Sequence, residues 1–227
     1  MEEQNRTRLW LRWVGANAIG EVFGLGGTFA LLFAVLQPAL NASGVTGVAG
    51  ILLNFVAAVF SGVLEATIVG LLQWGAMHSW FPRLRARSWW FGTLWGALAA
   101  YVLGYLPSTL MDMGAQAGSA PAQEPPQWLT LLLAAGLGLV AGAVLSFAQW
   151  RVLRRHAVRA GRWIPANMLA WAAGMPLIFA GMHIAFGGSN RPFVLIILVT
   201  LLLAGSVVGA IHGWFLIMTK PERSEEQ

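Results

Sequence analysis

The chain has 227 residues, of which 57% are hydrophobic and only 10% are charged. Soluble domains carry about 25% charged residues, so this composition excludes an ordinary soluble enzyme or binding domain. The lack of cysteine excludes a disulfide framework, a thiolate metal site and a cysteine nucleophile.

Six apolar runs are long enough to cross a membrane, since a helix needs about 20 residues to span the hydrocarbon layer. They cover residues 10–36, 47–74, 89–111, 128–150, 163–187 and 193–218. The charged start MEEQNRTRLWLRW lacks a small-residue cleavage site after a short apolar core, which predicts an interfacial segment and not a removable signal peptide. We therefore expect an all-α integral membrane protein, with one domain over 1–227 and six transmembrane helices.

The basic residues predict how these helices are oriented. Of the fourteen Lys and Arg residues, thirteen fall in segments 6–12, 83–87, 151–162 and 220–223, and only Arg191 falls on the other side. The positive-inside rule therefore predicts that both termini and both basic loops are cytoplasmic, in the cytoplasmic (inner) membrane. The loops favour anionic lipid headgroups as partners, and their placement explains the net charge of +5 without nucleic acid.

Most of the tryptophans fall near the same membrane boundary. Indole rings prefer the headgroup level, where the N–H stays hydrated and the ring stays apolar. We expect nine of them to anchor the topology there: Trp10, Trp13, Trp74, Trp80, Trp89, Trp90, Trp150, Trp163 and Trp214.

The first two runs form a predicted hairpin over residues 10–78. Its entering helix begins with Trp13 and carries Asn17 one turn deeper, and its returning helix ends with Gln73. The segment SWWFGT (88–93) begins a second hairpin, over 88–155, in which Thr93 takes the place of Asn17. The outer connection of this hairpin, DMGAQAGSAPAQEPPQ (112–127), has a composition typical of a mobile loop.

The third predicted hairpin covers residues 162–218, and its start, RWIPAN, resembles RWVGAN in the first. The entering Trp and the exit polar residue are 60 positions apart in the first hairpin (13 to 73), 60 in the second (89 to 149) and 49 in the third (163 to 212). These spacings predict three tandem pseudo-repeated hairpins about an axis along the membrane normal.

Each returning helix carries two small residues one turn apart: Ala66 and Gly70, Gly142 and Ser146, Gly205 and Gly209. Close backbone contact through small residues drives helix association in lipid, so the three helices can approach closely. Gln73, Gln149 and His212 follow on nearly the same face. We expect them to form a polar ring at the cytoplasmic mouth, either as interhelical hydrogen bonds or as a ligand vestibule.

Two carboxylates, both in the first hairpin, are missing from the other two. Glu21 lies about 12 Å past Trp13, and Glu65 about 13.5 Å from the same boundary at Trp74, at 1.5 Å per helical residue. The position of Glu21 corresponds to Ala97 in the second hairpin and Trp171 in the third. The position of Glu65 corresponds to Ala141 and Ala204. Buried carboxylates are costly in a bilayer and mark functional sites.

The two acids also belong to polar stripes on their helices. Asn17, Glu21 and Thr28 share one face of the first helix, and Asn54, Ser61 and Glu65 share one face of the second. Facing carboxylates would share a proton. The stripes indicate either a proton- or cation-responsive site, including a counter-charge for a cationic ligand, or ordinary hydrogen bonds between helices.

No motif indicates an enzyme. The fourth helix lacks the nucleophile turn of intramembrane serine proteases, the four histidines are not paired at one depth, and no cluster has metal-ligand spacing. We therefore expect no catalytic residue, metal or cofactor.

The sequence favours a protein that binds or translocates a small solute, ion or lipid through a polar site in the first hairpin, formed by Glu21, Glu65, Asn17, Asn54 and Ser61. The alternative is a non-catalytic structural subunit or assembly factor of a larger membrane complex. A membrane-protein partner or a homo-oligomer is compatible with either function.

Overall fold

The computed structural model describes residues 2–119, 125–188 and 192–219, which contain helices and turns and no strand. Six helices are long and apolar enough to cross a membrane. The first, α1, consists of Glu2–Phe23, Leu25–Leu31, a π turn Leu32–Leu36, and Gln37–Ala42. The others are α2 (Gly47–Met77), α3 (Ala86–Gln116), α4 (Gln127–Leu153), α5 (Trp163–Phe186) and α6 (Phe193–Met218). The prediction of an all-helical, six-span protein is confirmed.

The helix boundaries follow local backbone chemistry. Gly44, in the turn between α1 and α2, and Gly47, the first residue of α2, have positive φ angles of 69° and 65°, a region that only glycine adopts freely. Pro126 and Pro192 directly precede α4 and α6, where a missing N–H costs nothing. Helix α3 continues to Gln116, so the predicted outer loop begins as helix, and residues 120–124 of that loop lie outside the described part.

The six helices form a closed ring. Each packs against its neighbours in the sequence, and α1 packs against α6 to complete the circle. Large apolar side chains such as Phe60, Trp95 and Leu203 point outward, with more than half of their surface exposed, as lipid-facing residues do. The ring leaves an interior that only residues on the inner faces of the helices reach.

One end of the ring is closed by a buried apolar cluster, which we call the basic end because the described arginines of 6–12, 83–87 and 151–162 flank it. It includes Leu9, Trp13, Met77, Phe81, Leu84, Trp89, Leu153, Trp163 and Leu216. The indole of Trp80 donates to the carbonyl of Thr219 at 3.3 Å. The start of α1, the end of α6 and both basic connections therefore lie at the same end of the bundle. Arg191, Lys220 and Arg223 lie outside the described residues.

Candidate functional site

Three tryptophans lie inside the ring at the basic end, and not in a lipid-facing belt. Trp13, Trp89 and Trp163 have exposed fractions of 0%, 0% and 2%. The ring of Trp163 contacts both others edge-on, with centroid distances of 5.8 Å to Trp13 and 6.1 Å to Trp89. The expectation that all nine boundary tryptophans sit among headgroups is wrong for these three, because their rings are buried in the protein interior.

Each of these indoles donates a hydrogen bond to the exit polar residue of the preceding helix in the ring. The pairs are Trp13 to His212 Nδ1 (2.7 Å), Trp89 to Gln73 Oε1 (3.3 Å) and Trp163 to Gln149 Oε1 (2.9 Å). The three predicted polar-ring residues are thus buried together. Their partners are residues that the sequence suggested only as anchors.

The glutamine amides extend these bonds deeper into the ring. Gln73 donates to Asn17 Oδ1 at 2.8 Å, and Gln149 donates to Thr93 Oγ1 at 3.0 Å and to Gln73 Oε1 at 3.4 Å. Asn17 and Asn167 each donate to the carbonyl of the tryptophan four residues before them. The result is a connected polar network, which fixes side-chain positions when its members are satisfied.

The bond from Trp13 also assigns the state of His212. Because the indole N–H donates to Nδ1, that nitrogen carries no proton, and His212 is the neutral tautomer protonated at Nε2. His212 is almost fully buried, and it contributes no positive charge to the interior in this arrangement.

Glu21 lies in a small chamber directly beyond this network. The chamber has a volume of about 20 Å³, which is room for one water molecule at about 10–15 Å³ each. Its walls include Glu21, Glu65, Asn17, Asn167 and His212. Glu21 is only 1% exposed, and its Oε2 atom is buried without a hydrogen-bond partner among the described residues.

Glu65 forms the boundary between this chamber and a larger pocket. Its carboxylate accepts a short hydrogen bond from the Tyr101 hydroxyl. A Cβ atom at Gly24 on α1 would lie 3.3 Å from both Cα and Cγ of Glu65, so α1 and α2 pack closely here. Glu21 and Glu65 both line the small chamber, and the two acids therefore face one interior region.

The larger pocket has a volume of about 290 Å³ and is partly open. Its walls are mostly apolar and aromatic, including Phe29, Trp171, Met175 and Phe179, and Glu65 is its acidic residue. Glu65, Ala97, Leu145 and Trp171 line both cavities. A polar chamber and an apolar pocket thus meet at Glu65, an arrangement typical of ligand sites.

The structure brings together some of the predicted site residues and separates others. Asn17, Glu21, Glu65, Gln73, Gln149 and His212 all line the small chamber. Asn54 and Ser61 line neither cavity. Gln37 on α1 donates to Asn54 Oδ1 at 2.9 Å, so Asn54 joins α1 and α2. The Ser61 hydroxyl donates to the Ala58 carbonyl within α2, and only the backbone carbonyl of Ser61 accepts from Thr28 on α1.

The sequence interpretation missed the two tyrosines and gave Trp171 no role in the site. Tyr101 and Tyr105 are the only tyrosines in the chain and lie one turn apart in α3. Tyrosine in a membrane helix prefers the interfaces. Two tyrosines in the middle of an apolar run were therefore the sequence signal that could have indicated a site. Within the described residues no three His, Asp or Glu side chains group as metal ligands.

In comparisons with known proteins, no family model, no curated sequence and no solved structure matches this chain. The geometry of the two cavities is therefore the basis for the proposed function.

Proposed function

We propose that this chain is a non-catalytic inner-membrane protein that binds a small solute, ion or lipid in the interior of its helix ring. The observation that carries the proposal is that Glu65 lies at the junction of a small polar chamber and a pocket of about 290 Å³. A carboxylate that only forms a hydrogen bond between two helices does not require a cavity beside it.

The packing of the basic end supports binding more than translocation. Trp13, Trp89 and Trp163 fill the interior there and have almost no exposed surface. A molecule in the larger pocket therefore has no passage to that end while these rings stay in contact. We propose binding as the primary activity, and onward movement would require the three indoles to separate.

We also propose that the chain is a triplicated hairpin whose first copy acquired the acids. Support comes from equivalent contacts: a Cβ atom at Gly142 would lie 2.6 Å from the Asn167 carbonyl oxygen, and one at Gly205 would lie 2.6 Å from that of Asn17. Ala97 and Trp171, the predicted counterparts of Glu21, line the same cavities.

The test uses three probes with one apolar body: phenylbutylamine, phenylbutanol and phenylbutanoate. Equilibrium dialysis would measure their retention by the protein in phosphatidylcholine nanodiscs, relative to empty nanodiscs. Gly104 lines the pocket, and a Cβ atom there would meet nothing within 4 Å, so Gly104→Leu should fill the pocket and abolish retention of whichever probe binds.

Gly136→Leu is the matched control, because Gly136 also lies in a helix with open space around it but lines neither cavity. If Gly104→Leu and Gly136→Leu reduce probe retention equally, the proposal is contradicted. Failure to retain any probe, together with a stoichiometric protein partner in purification, would favour the structural-subunit alternative. The closed, hydrogen-bonded basic end is the observation that supports that alternative.

A further inference from the structure

We infer that the interior site takes an amphiphilic amine, with its ammonium group on the Glu65 side and its apolar body in the larger pocket. This inference rests on the proposed binding function and specifies the chemical class of its ligand. It depends on four observations: the sign of the charges at the site, the acceptors that face it, the unpartnered Glu21 oxygen, and the shape of the pocket.

The ionisable side chains at the site are acidic. Among the described residues, Glu21 and Glu65 are the only Asp, Glu, Lys or Arg side chains that line either cavity. His212, the remaining basic side chain there, is held neutral by the indole of Trp13. An anionic ligand would add negative charge beside two acids, whereas a cation provides the counter-charge that an intramembrane acid pairs with.

The acceptors suit an ammonium group in particular. An ammonium carries three N–H donors and no acceptor. The site offers the Glu65 carboxylate and the lone pairs of the Tyr101 hydroxyl that donates to it. A charged hydrogen bond of this kind contributes more to binding than a neutral one.

Glu21 supplies an independent indication. Its side chain is 99% buried, it lines the chamber next to Glu65, and its Oε2 has no partner among the described residues. Buried acceptors without partners are uncommon in folded proteins. A cation held at Glu65 would interact with this oxygen across the chamber.

The rest of the pocket selects the body of the ligand. A volume of about 290 Å³ is close to the lower end of the range for small-molecule pockets, about 300–1,000 Å³. The walls around Glu65 include Phe29, Tyr105, Trp171 and Phe179, and aromatic faces favour both apolar groups and cations. A small inorganic cation would leave this apolar volume unused.

The test compares the same three probes on the natural chain. We expect phenylbutylamine to bind at least about tenfold more tightly than phenylbutanol, and phenylbutanoate to bind most weakly. Glu65→Gln should weaken amine binding by about tenfold or more while it leaves phenylbutanol affinity within about twofold. Asp112→Asn is the control, because Asp112 is an acid of α3 that lines neither cavity.

The outcomes separate the two proposals. If the alcohol binds as tightly as the amine, or the carboxylate binds most tightly, and Gly104→Leu abolishes binding, the small-molecule site stands and the amine inference is overturned. If no probe is retained, both fall. The probe ranking on the natural chain decides the matter even if Glu65→Gln fails to fold, which size-exclusion elution in detergent would reveal.

Discussion

The indole of Trp13 illustrates how a single N–H can determine the state of a buried group. Replacement by phenylalanine removes the donor to His212 Nδ1, and a buried acceptor without its partner costs about 1–3 kcal/mol. We therefore expect Trp13→Phe to lower the free energy of unfolding by at least this amount, as measured by denaturant titration in detergent. Trp214→Phe is the control, since Trp214 is 55% exposed, and an equal loss in the two variants would contradict the role given to the hydrogen bond.

Tyr101 and Tyr105 allow the bond to Glu65 to be tested within one helix. Both line the larger pocket, but only the Tyr101 hydroxyl bonds to a described side chain. Tyr101→Phe should lower the free energy of unfolding by about 1–3 kcal/mol, whereas Tyr105→Phe should change it by less than about 0.5 kcal/mol. Thermal unfolding followed by circular dichroism would measure both, and the opposite order would refute the assignment.

At the residue scale, the depth of a side chain along the bundle was predictable from the sequence, but the direction in which it points was not. A fixed rise per residue placed Glu21 and Glu65 at one level, and both line one chamber. The shared helix face grouped Asn54 and Ser61 with Glu65, but Asn54 bonds to Gln37 across the α1–α2 interface and the Ser61 hydroxyl bonds to Ala58 within α2. Which part of a polar stripe faces a cavity depends on how the neighbouring helices pack, and a single helix does not encode that.

At the scale of elements, glycines on α4 have opposite roles according to what they face. A Cβ atom at Gly142 would lie 2.6 Å from the carbonyl oxygen of Asn167 on α5, whereas one at Gly136 would meet nothing within 4 Å. Gly142→Ala should therefore push α4 and α5 apart and cost about 1–3 kcal/mol. Gly136→Ala should be neutral or stabilising by up to about 1 kcal/mol.

Unfolding free energies of these two alanine variants, measured side by side in one detergent, check the expectation. A Gly142→Ala protein as stable as Gly136→Ala would show that the α4–α5 contact tolerates a methyl group. The interpretation of small residues as contact points between helices would then fail for this pair.

The elements themselves were predictable because length and hydropathy are local properties. Six apolar runs correspond to six helices, yet the sequence alone did not show that α1 closes the ring against α6. Nor did it predict the break in α1 at Gly24, which packs closely against Glu65. These features arise from contacts between distant parts of the chain.

At the scale of the whole molecule, the arrangement of arginines predicts the direction in which the ring sits in its membrane. The basic end carries the described arginines of three segments, and the positive-inside rule assigns it to the cytoplasm. Orientation matters for the proposed site, because the three buried indoles then seal the cytoplasmic end and an amine would reach the larger pocket from the outer side or from the bilayer.

The chain contains no cysteine, so a single introduced thiol reports its own location. Ser79 and Ser119 are both exposed and lie at opposite ends of the bundle, in the turn after α2 and beyond the end of α3. In bacterial spheroplasts, a membrane-impermeant maleimide should label Ser119→Cys directly and Ser79→Cys only after permeabilisation, while the cysteine-free chain remains unlabelled. The reverse pattern would place the tryptophan seal outside, so that ligands would have to enter the larger pocket from the cytoplasm or the bilayer.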